Sequence, residues 1–201
     1  MSPRTARFAL VMSAFVAGLA ISLAAVLWLV TPRLAAPGAP PPTAAIGGPF
    51  RLLDQNGRTV TDADLKGHPF LVFFGFTHCP DVCPTTLFEI SEVLRELGAD
   101  ADRLGALFIT VDPERDTPAA LKDYLSSFDS HLLGLTGDPE AVAATAKAYR
   151  VYFKKVPLDD GGYTMDHTAI VYLMDKDGRF VAPFSLRRTT EAAVADLRKR
   201  L

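Results

Sequence analysis

The fold is decided by the stretch FLVFFGFTHCPDVCP, residues 70–84. Its first seven residues are apolar, aromatic or branched apart from one glycine, a composition typical of a buried central strand. The apolar residues after the stretch recur at helical spacing and predict a helix directly behind the strand; they are Leu87, Ile90, Leu94 and Leu97. Cys79 and Cys83, the only two cysteines among 201 residues, therefore lie four apart at a strand-to-helix junction. That spacing on a helical turn puts both sulfurs on one face, within reach of one point.

The start of this helix favours reactive thiols. Its free backbone N–H groups and its partial positive charge lower the pKa of a nearby thiol. The alternative for Cys79 and Cys83 is a structural disulfide, which compartments outside the cytoplasm permit. A bridge between residues four apart closes only a small loop and stabilises little. Metal ligation or redox chemistry is therefore favoured over a purely structural bridge.

Strands and helices alternate along the rest of the chain. Further strands are predicted at residues 104–111, 131–135, 168–174 and 179–184, the last two as a hairpin around a turn at residues 175–178. Helices are predicted from Thr117-Pro118, from Asp138-Pro139 and over residues 190–201, because capping threonines and first-turn prolines favour helix starts. This alternation predicts an α/β fold with a partly parallel sheet, a closing hairpin and helices on both faces.

The N-terminal region predicts a transmembrane helix. Residues 8–30 are uncharged, and as a helix they can cross an apolar core of about 30 Å, whereas a cleaved signal peptide has an apolar region of only about 7–15 residues. Arg4 and Arg7 precede this segment and Arg33 follows it, so the positive-inside rule puts residues 1–7 in the cytoplasm. We expect a single-pass protein of a bacterial inner membrane with its main domain in the periplasm.

A linker and one domain follow the predicted anchor. Residues 31–49 are rich in proline, alanine and glycine, which favours an extended tether over a packed structure. Residues 50–201 are enough for one domain with a hydrophobic core. All 23 acidic residues and 18 of the 21 basic residues lie in this domain, so its formal charge is −5. That charge disfavours nucleic acid as a partner.

The order of elements around the cysteines resembles the thioredoxin fold. Thioredoxin-type redox sites have two residues between their cysteines, and this chain has three. Thioredoxins also have a cis-proline before the strand that faces the cysteines. The corresponding segment here, Met165-Asp166-His167-Thr168, has no proline and offers a histidine instead.

Three motifs together are similar to those of the Sco/SenC family, membrane-anchored copper chaperones that serve cytochrome c oxidase assembly. The motifs are FTHCPDVCPT at residues 76–85, VDPERDT at residues 111–117 and Asp166-His167-Thr168. The resemblance covers residues 46–201, and the anchor and linker match the layout of the family. Carried over position by position, it implies a thioredoxin-like copper-binding domain in which Cys79, Cys83 and His167 bind Cu(I) or Cu(II).

The chemistry of these three residues agrees with that implication. Soft thiolates select Cu(I), imidazole suits both copper oxidation states, and a site of two sulfurs and one nitrogen leaves room for a partner's ligand. We expect His167 on a loop before its own strand, behind a flexible segment at residues 159–162, so that it closes the site from across the sheet. Taken alone, a single histidine is more often a hydrogen-bonded surface residue; its motif makes it a candidate ligand.

Five more residues are expected around the ligands. They are His78, Asp81, Asp112, Arg115 and Asp166. Asp112 and Arg115 follow a strand at the edge where α/β sheets place their sites. Each of these residues also has a plainer explanation. The charge of Asp81 favours a helix N-terminus, and His78 can be merely solvated. Residues 112–117 can be a turn followed by a helix cap.

Three functions from different classes are open at this point. The resemblance implies a metallochaperone, not an enzyme, that delivers copper to the binuclear site of cytochrome c oxidase subunit II. It also implies a copper donor protein and a thioredoxin-like reductant for a redox-active disulfide between Cys79 and Cys83. The alternatives are a thiol–disulfide oxidoreductase or peroxidase of thioredoxin type, and a copper or redox sensor. Copper binding that depends on His167 separates the chaperone from the enzyme, whereas only a transfer assay separates it from the sensor.

Overall fold

The computed structural model describes Met12, residues 16–26, Trp28, residues 46–159 and residues 161–201. The chain divides into two units between residues 44 and 45, and each is described by itself. In the first unit, residues 16–26 are helical. Among the described residues, no helix has the length and apolar character needed to cross a membrane. The predicted segment 1–7, much of the predicted anchor 8–30 and most of the predicted linker 31–49 lie outside the described residues.

The described part of the second unit contains nine strands and four α-helices. The strands are β1 (Arg51–Asp54), β2 (Thr59–Thr61), β3 (Phe70–Gly75), β4 (Gly105–Thr110), β5 (Leu132–Thr136), β6 (Phe153–Pro157), β7 (Tyr163–His167), β8 (Val171–Met174) and β9 (Phe180–Pro183). The helices are α1 (Val82–Leu97), α2 (Pro118–Leu125), α3 (Pro139–Ala148) and α4 (Thr190–Arg198). Two short 3-10 helices span Asp62–Leu65 and Gly98–Arg103.

Seven of these strands form one mixed sheet in the order β2-β1-β5-β4-β3-β8-β9. Strands β3, β4 and β5 run parallel, β8 is antiparallel to β3, and β9 is antiparallel to β8. All six residues of β3 are buried, as expected of a central strand in a parallel region. The predicted α/β sheet, partly parallel and closed by a hairpin, is therefore confirmed.

Aromatic side chains pack on both faces of β3. Phe73 lies against Phe108 of β4, with ring centroids 6.1 Å apart. Phe74 points to the opposite face, because successive side chains alternate along a strand. There it lies 5.4 Å from the ring of Tyr149, the residue after α3. Burial on both faces explains why this strand is almost continuously apolar.

The helix starts follow the predicted capping. The Thr117 hydroxyl accepts a hydrogen bond from the Ala120 N–H at 3.2 Å, and Pro118 occupies the first turn of α2. Pro139 likewise opens α3. The missing N–H of proline costs nothing in a first turn, where the N–H has no partner within the helix.

Two hairpins are present that the sequence pattern did not predict. Strands β1 and β2 pair antiparallel, and β6 and β7 form a separate two-stranded sheet. Strand β6 contains two exposed lysines, so it lacks the apolar pattern of a core strand. The predicted loop at 159–162 is the tip of this second hairpin, where the Leu158 N–H donates to the Gly162 carbonyl at 2.9 Å; Asp160 lies outside the described residues.

The position of His167 needs a correction as a result. The predicted strand 168–174 begins only at Val171, and His167 is the last residue of β7. It pairs with Phe153 of β6. A hairpin therefore presents this histidine, where a loop was expected.

His131 joins two segments on the surface of the domain. Its Nδ1 lies 2.6 Å from Asp129 Oδ1, and its Nε2 lies 3.2 Å from Asp102 Oδ1. Asp102 belongs to the 3-10 helix after α1, whereas Asp129 and His131 precede β5. The hydrogen bond to Asp129 and the nearby charges raise the pKa of His131.

Replacing His131 with glutamine should therefore destabilise the fold more at about pH 5.5 than at about pH 8.5. The folded-state pKa exceeds the unfolded value of about 6.5, so the stabilisation is complete below that value and is lost as pH rises through the folded pKa. The side chain is 35% exposed, and solvent screening keeps the effect below about 1 kcal/mol. Urea unfolding of the wild type and the variant at both pH values measures the loss of unfolding free energy. An equal loss at the two pH values would contradict the ion pair.

Candidate metal centre

Three side chains of different elements converge at one edge of the sheet. Cys79 lies in the turn between β3 and α1, Cys83 is the second residue of α1, and His167 ends β7. Their ligand atoms all lie within 4.8 Å of one another. Within the described ranges, this is the one group of histidine, cysteine and acidic residues close enough to hold a metal ion. The structure thus brings together the three residues predicted as ligands.

The two cysteines meet in a different way from the one expected. Helix α1 begins at Val82, so Cys79 does not share a helical face with Cys83. The Cys79 N–H donates to the Phe76 carbonyl at 3.2 Å, and the turn folds back over the start of the helix. There the Cys83 N–H points to Cys79 Sγ at 3.4 Å. The turn, and not the helical repeat, brings the sulfurs together.

The Cys83 thiol is the buried part of the site. It is fully inaccessible to solvent, whereas Cys79 is half-buried, and both are free thiols. Burial raises the pKa of Cys83, and this outweighs the lowering expected from the helix N-terminus. That expectation was wrong for Cys83. Its thiol keeps its proton near neutral pH until a metal ion displaces it.

Gly75 makes room for this sulfur. A Cβ atom at Gly75 would lie 2.8 Å from Cys83 Sγ and 2.7 Å from the Phe108 ring. Both distances are shorter than side-chain carbons tolerate. Cys83 Sγ and Phe108 therefore crowd the same point at the end of β3.

The orientation of His167 is set by a backbone carbonyl. Its Nδ1 lies 3.1 Å from the Thr168 oxygen, and a carbonyl can only accept, so Nδ1 carries the ring proton. Nε2 then has a free lone pair and lies 3.5 Å from Cys83 Sγ. Burial lowers the pKa of His167, which keeps the ring neutral. The ring edges contact Phe73 and Phe76 at centroid distances of 6.3 and 5.8 Å.

Asp116 holds the cysteine loop and was missed as a site residue. Its carboxylate is completely buried and accepts hydrogen bonds from the Thr77 N–H at 3.0 Å and the Thr77 hydroxyl at 2.6 Å. It also accepts one from the Thr110 hydroxyl at 2.6 Å. These bonds tie the loop before Cys79 to the end of β4. Its position in a turn before a helix cap hid this role, because that pattern is explained by the turn alone.

Asp112 and Arg115 support the hairpin that carries His167. Asp112 Oδ1 accepts a hydrogen bond from the Tyr163 hydroxyl at 2.9 Å, and Arg115 donates to the Tyr163 carbonyl at 3.0 Å. The Arg115 guanidinium lies 3.8 Å from the centre of the Tyr163 ring and pairs with Asp112. Because Tyr163 begins β7 and His167 ends it, these contacts position the histidine from four residues away.

The other three predicted neighbours lie at the rim. His78 Nδ1 lies 3.0 Å from the Thr77 hydroxyl, and its side chain is 56% exposed. Asp81 is the residue before α1 and is exposed. Asp166 is exposed on β7 and lies opposite Lys154. His78 thus contacts the cysteine loop, Asp81 the first turn of α1, and Asp166 the β6–β7 hairpin.

The donor set suits a soft metal ion. Two sulfurs and one imidazole nitrogen favour copper or zinc over hard cations. The Nδ1–H bond to a carbonyl is the outer contact that commonly fixes a metal-binding histidine. Cys79 and His167 are only half-buried, so one side of the group is accessible from solvent.

The fold and the site define a thioredoxin-like α/β protein with a Cys-Cys-His metal group. The SCO1/SenC family model matches residues 38–201. The chain belongs to the SCO1/SenC family. The resemblance drawn from the three motifs is thereby confirmed.

Named relatives and solved structures support this family assignment. One solved structure is that of Bradyrhizobium japonicum ScoI with copper bound, whose sequence is 69% identical to this chain. The match covers 78% of this chain and 100% of that one, with a TM-score of 0.77. The mitochondrial protein SCO2 homolog of Bos taurus is 44% identical over 162 residues, which are 79% of this chain and 61% of the relative. The match thus spans about three fifths of that relative. BsSco, described as a member of the Sco family of cytochrome c oxidase assembly proteins, shares the fold at 23% identity, with 78% and 94% coverage and a TM-score of 0.61.

Replacing Asp116 with asparagine should lower the free energy of unfolding by about 2–4 kcal/mol. The amide puts an NH₂ group where the carboxylate accepts from Thr77 or Thr110, so one buried donor loses its partner. Asp138→Asn is the matched control, since Asp138 is exposed and makes no capping bond with its side chain. Urea unfolding compares the two. A loss no larger than that of the control would show that Asp116 does not hold the loop.

Proposed function

We propose that this chain is a membrane-anchored metallochaperone that binds copper at Cys79, Cys83 and His167 and delivers it to the binuclear site of cytochrome c oxidase subunit II. The observation that carries the proposal is the convergence of two thiol sulfurs and one neutral imidazole nitrogen within 4.8 Å. The copper-bound relative at 69% identity supports copper as the metal. Copper is here the cargo, not a resident cofactor.

The arrangement suits tight binding followed by release. Binding Cu(I) displaces a proton from each thiol, and the two thiolates and Nε2 of His167 form a three-coordinate site. Cys83 is held inside the core, whereas Cys79 and His167 lie at the accessible side. A ligand of the recipient can therefore approach beside Cys79 and His167 and displace them one at a time, with Cys83 last.

Location and partners complete the proposal. The arginine pattern around residues 8–30 supports a single-pass anchor in a bacterial inner membrane, with the domain in the periplasm. There the chain would receive copper from a donor protein. A thioredoxin-like reductant would keep Cys79 and Cys83 reduced, since their sulfurs are close enough to form a disulfide after a small movement.

Thiol–disulfide exchange is the second candidate, and the proximity of two free thiols in a thioredoxin-like fold favours it. The half-buried Cys79 is the better attacking thiol, because the pKa of Cys83 is raised by burial. Exchange between these sulfurs needs no histidine. The two functions therefore differ in their dependence on His167.

His167→Ala should leave the fold intact and weaken Cu(I) binding by about tenfold or more, because one of three ligands is lost. Competition with a Cu(I) chelator measures the affinity, and circular dichroism reports the fold. His78→Ala is the matched control, since that imidazole adjoins Cys79 but is exposed. Equal affinity of the wild type and the His167 variant would remove His167 from the site.

The chaperone function itself is tested by transfer. The copper-loaded chain is mixed with copper-free subunit II, and the absorption of the binuclear site is followed. We expect that site to form with the wild type and to form poorly with His167→Ala. Stoichiometric copper binding without transfer would favour the sensor, and thiol exchange without copper binding would favour the oxidoreductase.

Oxidation of Cys79 and Cys83 to a disulfide should abolish copper uptake, because a disulfide sulfur carries no charge to bind the metal. Reduced and oxidised samples of the full chain are loaded side by side, and bound copper is counted after desalting. Cys79→Ser and Cys83→Ser should each bind less copper than the reduced wild type. Full loading of the oxidised protein would rule out a two-thiolate site.

A further inference from the structure

A cavity of about 520 Å³ lies at the carboxyl end of β5, apart from the metal centre. Its walls come from β1, from the end of β5 and from the starts of α2 and α3, and they include none of the three copper ligands. Small-molecule sites typically have volumes of about 300–1,000 Å³. Sheets of this class bind ligands outside the carboxyl ends of their parallel strands. The cavity therefore has the size and the position of a ligand site.

Thr136 points a buried hydroxyl into this cavity. The residue is only 3% exposed and forms part of the cavity wall. Because side chains alternate along a strand, it shares a face of β5 with Gly134, whose Cβ position lies against Leu121 and Leu125 of α2. Its hydroxyl makes no hydrogen bond to any residue that the structure describes. Buried hydroxyls are normally paired, so this one is available to a ligand.

The charges around Thr136 favour an anion. Arg51 of β1 lines the cavity, and its guanidinium forms no ion pair within the described residues. Thr117 and Asp138, which precede α2 and α3, line it as well, so two helices begin there. Helix N-termini carry partial positive charge and free N–H groups that bind anions. The carboxylate of Asp138 is the one acidic group among the described lining residues, and it opposes them.

The remaining wall of the cavity is apolar. Leu53 pairs with Thr136 across β1 and β5, so both side chains lie on the same face of the sheet. Leu53 is 38% exposed there, and the cavity is also lined by Pro113, Pro118 and Ala141. An inorganic anion would leave these carbons in contact with water. An anion with an apolar body would cover them, which is favourable.

We propose that this cavity binds a small organic carboxylate. Its carboxylate group accepts hydrogen bonds from the Arg51 guanidinium and the Thr136 hydroxyl near the two helix starts, and its apolar body packs on Leu53 and the prolines. Arg51 suits this role because it lies two residues before Leu53 and so shares its face of β1. The site needs no copper and goes beyond the proposed function.

The binding test uses hexanoate as the probe, titrated calorimetrically into the metal-free, full-length chain. Two further probes separate charge from shape. Hexanamide has the same apolar body without the charge, and inorganic phosphate has charge without an apolar body. We expect hexanoate to bind with a dissociation constant of about 1 mM or less, and the other two at least about tenfold more weakly.

Four variants test the residues. Arg51→Gln and Thr136→Val should each weaken hexanoate binding about tenfold, because each removes a hydrogen bond to a charged group. Asp138→Asn should strengthen it, because an opposing charge is lost. Arg187→Gln is the matched control, since Arg187 is exposed and lies outside the cavity. Urea unfolding checks each fold; Arg51 and Asp138 are exposed, so their variants keep the test valid even if Thr136→Val does not fold.

The inference is wrong if hexanoate does not bind, or if hexanamide binds equally well, because the site would then not select a charge. Equal or tighter binding of phosphate would overturn the organic class of the ligand. Equal weakening in Arg187→Gln and Arg51→Gln would show general charge attraction instead of a site. None of these results bears on copper binding at Cys79, Cys83 and His167, so the two proposals fail separately.

Discussion

The buried carboxylate of Asp116 ties the loop that carries Cys79 to the end of the neighbouring strand. It accepts two hydrogen bonds from Thr77 and one from Thr110, and no water reaches it. Charge-assisted bonds of this kind are roughly twice as strong as neutral ones. They add to the hydrogen bond from the Cys79 N–H to the Phe76 carbonyl in holding the turn before α1, where Cys79 lies outside the helix. The distance between the two sulfurs depends on this anchor.

The same segment between β4 and α2 also supports the other half of the site. Asp112 and Arg115 contact Tyr163 at the start of β7, and His167 ends that strand. The β6–β7 hairpin does not belong to the main sheet, so these contacts help to fix it against the domain. One short segment therefore positions both the cysteine loop and the histidine. This explains how ligands 84 residues apart come to share a site.

Burial divides the ligands into two kinds. Cys83 is enclosed beside Gly75 and Phe108, so its sulfur is fixed and its pKa is raised by burial. Cys79 and His167 are half-buried and approachable. A site built in this way binds a soft ion through a fixed ligand and two accessible ones. That asymmetry gives the proposed transfer a direction, because the accessible ligands can be displaced first.

The sequence by itself determined the central strand, the helix behind it, the capped helices and the partly parallel sheet, because continuous apolar runs and capping residues act locally. It also supplied the motifs that indicate the family. It did not determine the β6–β7 hairpin, since a strand with two exposed lysines and no core face has no clear pattern. Nor did it identify Asp116. A carboxylate in a turn gains this role only from a residue distant in the chain, Thr77, and that proximity is decided by the tertiary packing.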